Sequence, residues 1–309
     1  MSHADLSRSV EEYLALRRAL GFKLYHQTWF LPDFVAFLAA HGSDAITTEL
    51  AARWAQEPPG TSPGWWAMRL SAVRCFARHH RAFDPRTEVP PPDLITYRVQ
   101  RRTPHLYRDG EIAALMREAS SLSGPMRSAT YATLLGLLAA TGMRVGEALA
   151  LDDGDVDWRR SLLTVRHAKF QKSRLVPVHA STLAALQAYV ALRDHLLPSR
   201  RSPSFFVSGV GTRVLHQNFH HMFLRLVRLA GIDAGRGRRP RLHDLRHTFA
   251  LNTLRDWYRS GLDAERRLPS LSTYLGHVNP SSTYWYLTAA PELLTLAGKR
   301  LERAWEVRP

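Results

Sequence analysis

The sequence predicts a mainly α protein, with a helical amino-terminal bundle followed by an α-rich domain that carries a small antiparallel β-sheet. Three observations lead there. Apolar residues recur at helical spacing through most of the chain, two short runs at 161–167 and 174–179 read as strands, and a proline-rich stretch divides the regions. A length of 309 residues suits two domains, and a hydrophobic fraction of 45% lets each bury a core, which excludes a disordered chain.

In the first domain, 1–84, residues 5–20 place Leu6, Val10, Tyr13, Leu14 and Leu20 on a helix that stops at Gly21. A second helix over 27–41 runs through Phe30, Phe34, Phe37 and Leu38. Thr47, Thr48, Glu49 and Leu50 open a short third helix, and 64–83 forms a fourth. On that fourth helix Trp66, Leu70, Val73 and Phe76 read as core. Arg69, Arg74, Arg78, His79, His80 and Arg81 either line a phosphate backbone or face water. Residues 85–106, with Pro85 and the run Pro90-Pro91-Pro92, read as a linker that turns basic at Arg98, Arg101 and Arg102. The second domain, 107–309, is expected to have helices near 108–120, 126–141, 145–151, 181–196, 216–230, 243–258, 267–276, 281–287 and 291–305, with the two strands between the third and fourth of these.

Charge narrows the partners. There are 42 Lys+Arg against 27 Asp+Glu, a formal net charge of +15, and only Lys23, Lys169, Lys172 and Lys299 are lysine. Arginine's planar fork suits phosphate, so nucleic acid leads over a merely solvated basic surface. The longest apolar stretch, 131–140, is too short to span a membrane, and the opening residues show no signal-peptide core. A single cysteine, Cys75, expected to be a small buried residue on a helix, excludes an internal disulfide and points to a reducing cytosol.

Four clusters in the second domain carry chemistry. Thr141-Gly142-Met143-Arg144-Val145-Gly146-Glu147 sets an arginine between two glycines at a helix start, where a phosphate can approach; an Arg144–Glu147 surface pair is the plainer reading. Lys169 and Lys172 sit at the tip between the two strands, where an ammonium can donate a proton as arginine cannot, or can simply face water. His243 and Arg246, at i and i+3 near a helix start, could converge on one phosphate. His243 and His247, at i and i+4, could instead hold a metal, but Asp244 stands where the zinc-protease pattern needs glutamate. Finally, Gly276 ends a helix, His277 lies in the turn, and Tyr284 and Tyr286 follow.

Taken in order, Arg144, Lys169, His243 with Arg246, His277 and Tyr286 resemble the tyrosine recombinase (phage integrase) family. The likeness lies in TGMRVGEAL, KFQKSRLVP, HDLRHTFA and an LGH followed nine residues later by Tyr286, and it covers roughly 105–305. The helical first domain resembles the family's core-binding, DNA-binding domain more loosely, through WWAMRLSAVRCFAR. Phe170 stands where the family commonly has glycine. Lys172 matches a second lysine that is usually not catalytic, and Tyr284 is a rival nucleophile that would point about 200° away from Tyr286 on one helix.

The resemblance implies a site-specific DNA recombinase of a mobile element. Tyr286 would attack a phosphodiester to give a 3′-phosphotyrosyl link and a free 5′-hydroxyl. Arg144 and Arg246 would clamp the non-bridging oxygens, Lys169 would protonate the leaving oxygen, His243 would assist proton transfer and His277 would steady the transition state. Ionising a phenol at neutral pH costs roughly 4 kcal/mol, which such a cationic cluster can offset. No metal is expected, because the two arginines take the charge on those oxygens, and no nucleotide cofactor, because the covalent link keeps the phosphodiester energy. Expected partners are double-stranded DNA and further protomers, as a homotetramer or a mixed recombinase assembly, in the cytoplasm at the nucleoid. Further DNA contacts are expected from Arg69, Arg74, Arg78, Arg101, Arg102, Lys172 and Arg174. The helix over 291–305, with Leu293, Leu294, Leu296 and Leu301, would pack on a neighbouring protomer or on its own domain, and a bundle that starts near residue 5 suggests a simple recombinase with no arm-binding domain. The alternatives are a type IB topoisomerase-like relaxing enzyme and a catalytically silent DNA-binding regulator.

Overall fold

The computed structural model describes residues 3–57, 59–97, 103–166, 173–232, 239–277, 279, 283–284, 286 and 298. The chain divides into two compact units, Met1–Arg102 and Thr103–Pro309. The first is built on α1 (His3–Ala19), α2 (Gln27–Ala40), α3 (Thr48–Gln56) and α4 (Pro63–His80). Thr47 caps α3 by accepting from the Leu50 N–H, and Ser62 caps α4 with Pro63 in its first turn, where a missing N–H costs nothing. Leu6, Val10, Phe30, Phe34, Trp54, Leu70, Val73 and Phe76 fill the core between these helices.

The face of α4 expected to meet phosphate divides. Arg69 is buried: its guanidinium lies 3.7 Å from the centre of the Trp54 ring and donates to the Trp54 carbonyl at 3.0 Å and to Asp33 Oδ2 at 3.3 Å. Arg69 stands four and seven residues before Val73 and Phe76, the spacing of the core stripe, and it is therefore unavailable to DNA. Arg74 is also committed, donating to the carbonyls of Pro90 at 2.8 Å and Pro91 at 2.9 Å. His80 is buried, its Nδ1 bonded to Ser9 Oγ at 2.8 Å, whereas Arg78 faces solvent. Cys75, expected inside, is exposed, and Trp66 is only half-buried. Arg101 and Arg102 lie outside the described residues.

The stretch after α4 wraps its own unit. The Glu88 carboxylate accepts from the Thr48 N–H at 2.7 Å, the Glu88 N–H donates to the Ile46 carbonyl, and Val89 and Ile95 pack on the core. Prolines here leave carbonyls without competing N–H groups, and Arg74 uses two of them.

The second unit contains α5 (Asp109–Ser120), α6 (Pro125–Thr141), α7 (Val145–Leu149), a 3-10 turn at Asp153–Asp155, β1 (Val156–Asp157), β2 (Leu162–Val165), β3 (Arg174–Pro177), α8 (Ala180–Leu196), α9 (His216–Leu229), α10 (Leu242–Arg259) and α11 (Ala264–Leu275). The sheet runs β1-β2-β3, all antiparallel, with Leu163 opposite both Val156 and Val176. These three side chains are buried while their neighbours in each strand are less so, the period-two pattern of a one-faced sheet. β1 was not anticipated: two residues in an Asp- and Gly-rich run become a strand only by pairing with β2. Helix α6 runs through the core, against α5, α8 and α10.

Two apolar clusters share α10. Leu242 and Leu245 join the main core, whereas Ala250, Leu251 and Leu254 join a second cluster with Leu268, Leu271, Leu275 and Tyr286. Between them sits Arg246. Of the expected helices at 281–287 and 291–305, Thr283, Tyr284 and Tyr286 are helical, and most of the remainder lies outside the described residues.

Candidate active site

Helix α6 ends at Gly142, whose φ of +60° is the left-handed cap that turns the chain sharply into Arg144 and α7. Glu147, in the first turn of α7, accepts from the Arg144 backbone N–H at 3.0 Å and from its Nη1 at 2.7 Å. The i, i+3 pair therefore exists, but it does not close the account, because Arg174 of β3 grips the same carboxylate, with Nη1 on Oε1 at 3.0 Å and Nη2 on Oε2 at 2.7 Å. Arg174 Nε donates to the Tyr274 carbonyl at 2.8 Å, and Arg144 Nη2 donates to the Gly276 carbonyl at 2.8 Å. One buried carboxylate thus joins α7, β3 and the end of α11.

Helix α10 brings the second arginine. Asp244 accepts from the Arg241 N–H at 2.9 Å, and Thr248 accepts from the Tyr107 N–H at 3.0 Å, which fixes the first turns of α10 against the start of the unit. Arg246, one turn in and 2% exposed, donates through Nη1 to the Gly142 carbonyl at 2.9 Å and through Nη2 to the Leu275 carbonyl at 2.5 Å. A guanidinium has five N–H donors, so carbonyls hold both arginines from behind and leave donors for an anion. Arg246 is a buried cation that donates to the neutral carbonyls of Gly142 and Leu275 and to the Tyr286 hydroxyl, an arrangement that favours an incoming negative charge.

Gly142 is fixed by sterics as well as by φ. A Cβ there would stand 2.5 Å from Phe249 Cδ1, and Phe249 is stacked on Tyr274. Gly142→Ala is expected to cost about 2–4 kcal/mol, from left-handed strain plus overpacking, read as a lower urea midpoint. A loss under about 0.5 kcal/mol would mean that the ring yields freely.

The third element follows α11, which Gly276 ends with φ +68°. His277 Nδ1 lies 2.7 Å from Thr283 Oγ1. Tyr286 is 2% exposed, and its hydroxyl lies 3.1 Å from His247 Nδ1. The His277 ring lies nearly parallel to the Tyr286 ring at 6.2 Å, while the His247 ring meets it edge-on at 5.5 Å. Tyr284 is 52% exposed. The two tyrosines separate as helical geometry requires, and only Tyr286 reaches the site.

The local field follows from this packing. Burial lowers the pKa of Arg246 to about 10, with Arg144 adding repulsion. Burial and the two arginines push His277 down to about 3, and burial with His243 pushes His247 down to about 4. His243, exposed on its outer edge, is lowered by the protein behind it and then by Arg246. Burial raises the Tyr286 phenol, against the charge and hydrogen bond of Arg246 and the charge of Arg144. Glu147 goes the other way: burial raises it, but Arg174 and then Arg144 overcome this and hold it at about 2. At neutral pH the site is therefore cationic through arginine, with neutral imidazoles and a protonated phenol.

The model of the phage integrase family matches residues 106–292, more than half of the chain. The chain belongs to this family. Its curated relatives include the integrase/recombinase y4rB of Sinorhizobium fredii, 47% identical over 97% of this chain and 98% of that protein, and the tyrosine recombinase XerD of Caulobacter vibrioides, 31% identical over 82% and 80%. Among solved structures, XerA recombinase aligns over 100% of this chain and 99% of that one at 25% identity with a TM-score of 0.51. The Tn1549 transposon integrase in complex with transposon right-end DNA aligns over 96% and 98% at 17% identity with a TM-score of 0.67, a likeness of fold.

For this integrase-family chain, the structure brings Arg144, His243, Arg246, His277 and Tyr286 together; Lys169 and Lys172 lie outside the described residues. Arg174, expected to contact DNA, is instead turned inward, its side chain 12% exposed, because Glu147 and the Tyr274 carbonyl take its fork. The metal reading of His243 and His247 lacks further ligands: among the described residues no group of three or more His, Cys, Asp or Glu is placed to hold an ion. Sequence reasoning passed over Glu147 as a site residue, Arg174 as a brace and His247 as a partner of the tyrosine. For His247 the signal was available, since it follows Arg246 and lies four residues after His243 on one helix.

Proposed function

We propose that this site-specific DNA recombinase cuts and rejoins duplex DNA through Tyr286. Supporting this is one observation above all: the Tyr286 hydroxyl is enclosed beside the buried Arg246, within the field of Arg144. The phenolic oxygen attacks phosphorus, the phosphorus–O5′ bond breaks, and a 3′-phosphotyrosyl link remains. Arg144 and Arg246 take the charge that develops on the non-bridging oxygens, with forks already fixed and no reorganisation to wait for. Lys169 donates the proton that the 5′-oxygen needs, His243 assists proton transfer and His277 hydrogen-bonds the phosphoryl group. A 5′-hydroxyl from another strand then reverses the step without a nucleotide cofactor. The first unit holds DNA through Arg78 and the basic segment at Arg101 and Arg102, and four protomers act on two synapsed sites. Transfer of a mobile element, in the cytoplasm at the nucleoid, fits this chemistry.

A duplex that the protein selects from a random-sequence library, nicked just beyond the cleavage point, is the test substrate. Loss of the short 5′-hydroxyl fragment should trap a denaturation-resistant adduct, and peptide mapping should find the DNA 3′-phosphate on Tyr286. Attachment at Tyr284, or no adduct on any selected duplex, would overturn the proposal.

A further inference from the structure

We propose that His247 is a further catalytic residue, the base that holds the Tyr286 hydroxyl and takes its proton as the oxygen attacks phosphorus. This rests on Tyr286 being the nucleophile. The geometry is direct. His247 Nδ1 lies 3.1 Å from the Tyr286 oxygen, within reach for proton transfer in a site not yet closed on its substrate. The imidazole sits on α10 immediately after Arg246, so the helix that fixes one phosphate ligand also fixes the hydroxyl partner. His277 holds a different position: its Nδ1 is engaged by Thr283, and its ring lies alongside the phenol ring.

In the tautomer with the proton on Nε2, Nδ1 accepts from the phenol. The groups facing His247 are His243, Asp244 and Arg246 on α10, Arg241 just before it, and His277 and Tyr286 after α11. Burial and this largely cationic surround keep the imidazole neutral in the free protein, with a pKa near 4. A phosphodiester anion seated between the arginines acts in the opposite sense and raises its basicity when the proton must move. The balance closes. The phenolic proton passes to Nδ1, the tyrosine oxygen–phosphorus bond forms, and the phosphorus–O5′ bond breaks with its proton supplied from the leaving-group side. On rejoining, the departing phenolate takes the proton back from His247.

The test compares wild type with His247→Asn, whose short amide keeps an acceptor near Nδ1 but cannot carry the proton. Single-turnover adduct formation is measured from pH 6 to 9 on the selected, nicked duplex. Wild type should change by less than about threefold between pH 6.5 and 8.5. The variant should be about 10²-fold slower at pH 7 and gain close to tenfold per pH unit, as hydroxide replaces the missing base. An Asn variant within threefold of wild type at pH 7, or slowed equally at every pH, overturns the proposal. His247→Gln serves the same comparison if the Asn variant does not fold. With sulfur at the 5′-bridging position the leaving group needs no proton, so the defect should persist; rescue would place His247 on the leaving-group side and overturn the assignment. A failure of the underlying reading looks different: wild type gives no adduct, or Tyr286→Phe still forms one.

Discussion

Replacing Tyr286 by phenylalanine is expected to lower covalent capture of DNA at least about 10⁴-fold while leaving the fold in place. The ring packs with Leu251, Leu271 and Leu275, and phenylalanine keeps those contacts. What is lost is one hydroxyl with its bonds to His247 and to Arg246, about 1 kcal/mol for the first and about 1.5–3 kcal/mol for the second, which is charged. No neighbour can substitute, since Tyr284, two residues earlier on the helix, is half-exposed and turned away. Tyr284→Phe should therefore cut DNA at close to the parent rate. Adduct yield on the nicked duplex and the urea midpoint, measured on both variants, check the two halves separately. A Tyr286→Phe protein that still forms adduct would remove the phenol from the chemistry.

Glu147→Ala should do the reverse and damage both. The carboxylate lies between Arg144 and Arg174 with its side chain 7% exposed, and deleting it removes the one carboxylate that, among the described residues, pairs with both. Breaking such a pair from one side costs about 3–5 kcal/mol. Cleavage should fall about 10²-fold as well, because Arg144 loses the partner that aims it at phosphate. The pH dependence has a definite sign. The folded protein holds this carboxyl at about 2, below the ordinary value of 4.5, so its stabilisation is present above about pH 4.5 and is lost as pH falls towards 2. The gap between wild type and variant in urea unfolding should be full at pH 7 and narrow steadily below pH 4.5. A gap that holds constant to pH 3 would mean that the carboxylate's charge is not what binds the cluster.

Much of this could be read from the chain, and what escaped has physical reasons. Apolar periodicity locates α2, α4, α6 and α10 because each buries a stripe whose spacing is independent of its surroundings. β1 escapes because two residues become a strand through a partner, not through their own pattern. Arg69 shows the limit of treating charge as surface: its guanidinium finds Trp54 and Asp33, groups far away in sequence, and the core accepts it. The same limit hid the role of Arg174, whose carboxylate partner is 27 residues away. His243, Arg246, His277 and Tyr286 were legible because their spacing repeats a family pattern, whereas the Tyr286–His247 contact depends on how a turn after α11 folds back on α10.

The carbonyls behind the arginines bear on when this protein becomes able to cut. Arg144 leans on Gly276, 132 residues away, Arg246 on Gly142, 104 away, and Arg174 on Tyr274, 100 away. Contacts that distant in sequence close long loops, which must lose their freedom before the contacts are made. A partly unfolded chain has all three arginines but none of these fixed contacts, and Tyr286 follows all of them in the chain. Strand cleavage, the dangerous half of the reaction, thereby depends on a folded carboxyl-terminal unit and not on any one segment of it.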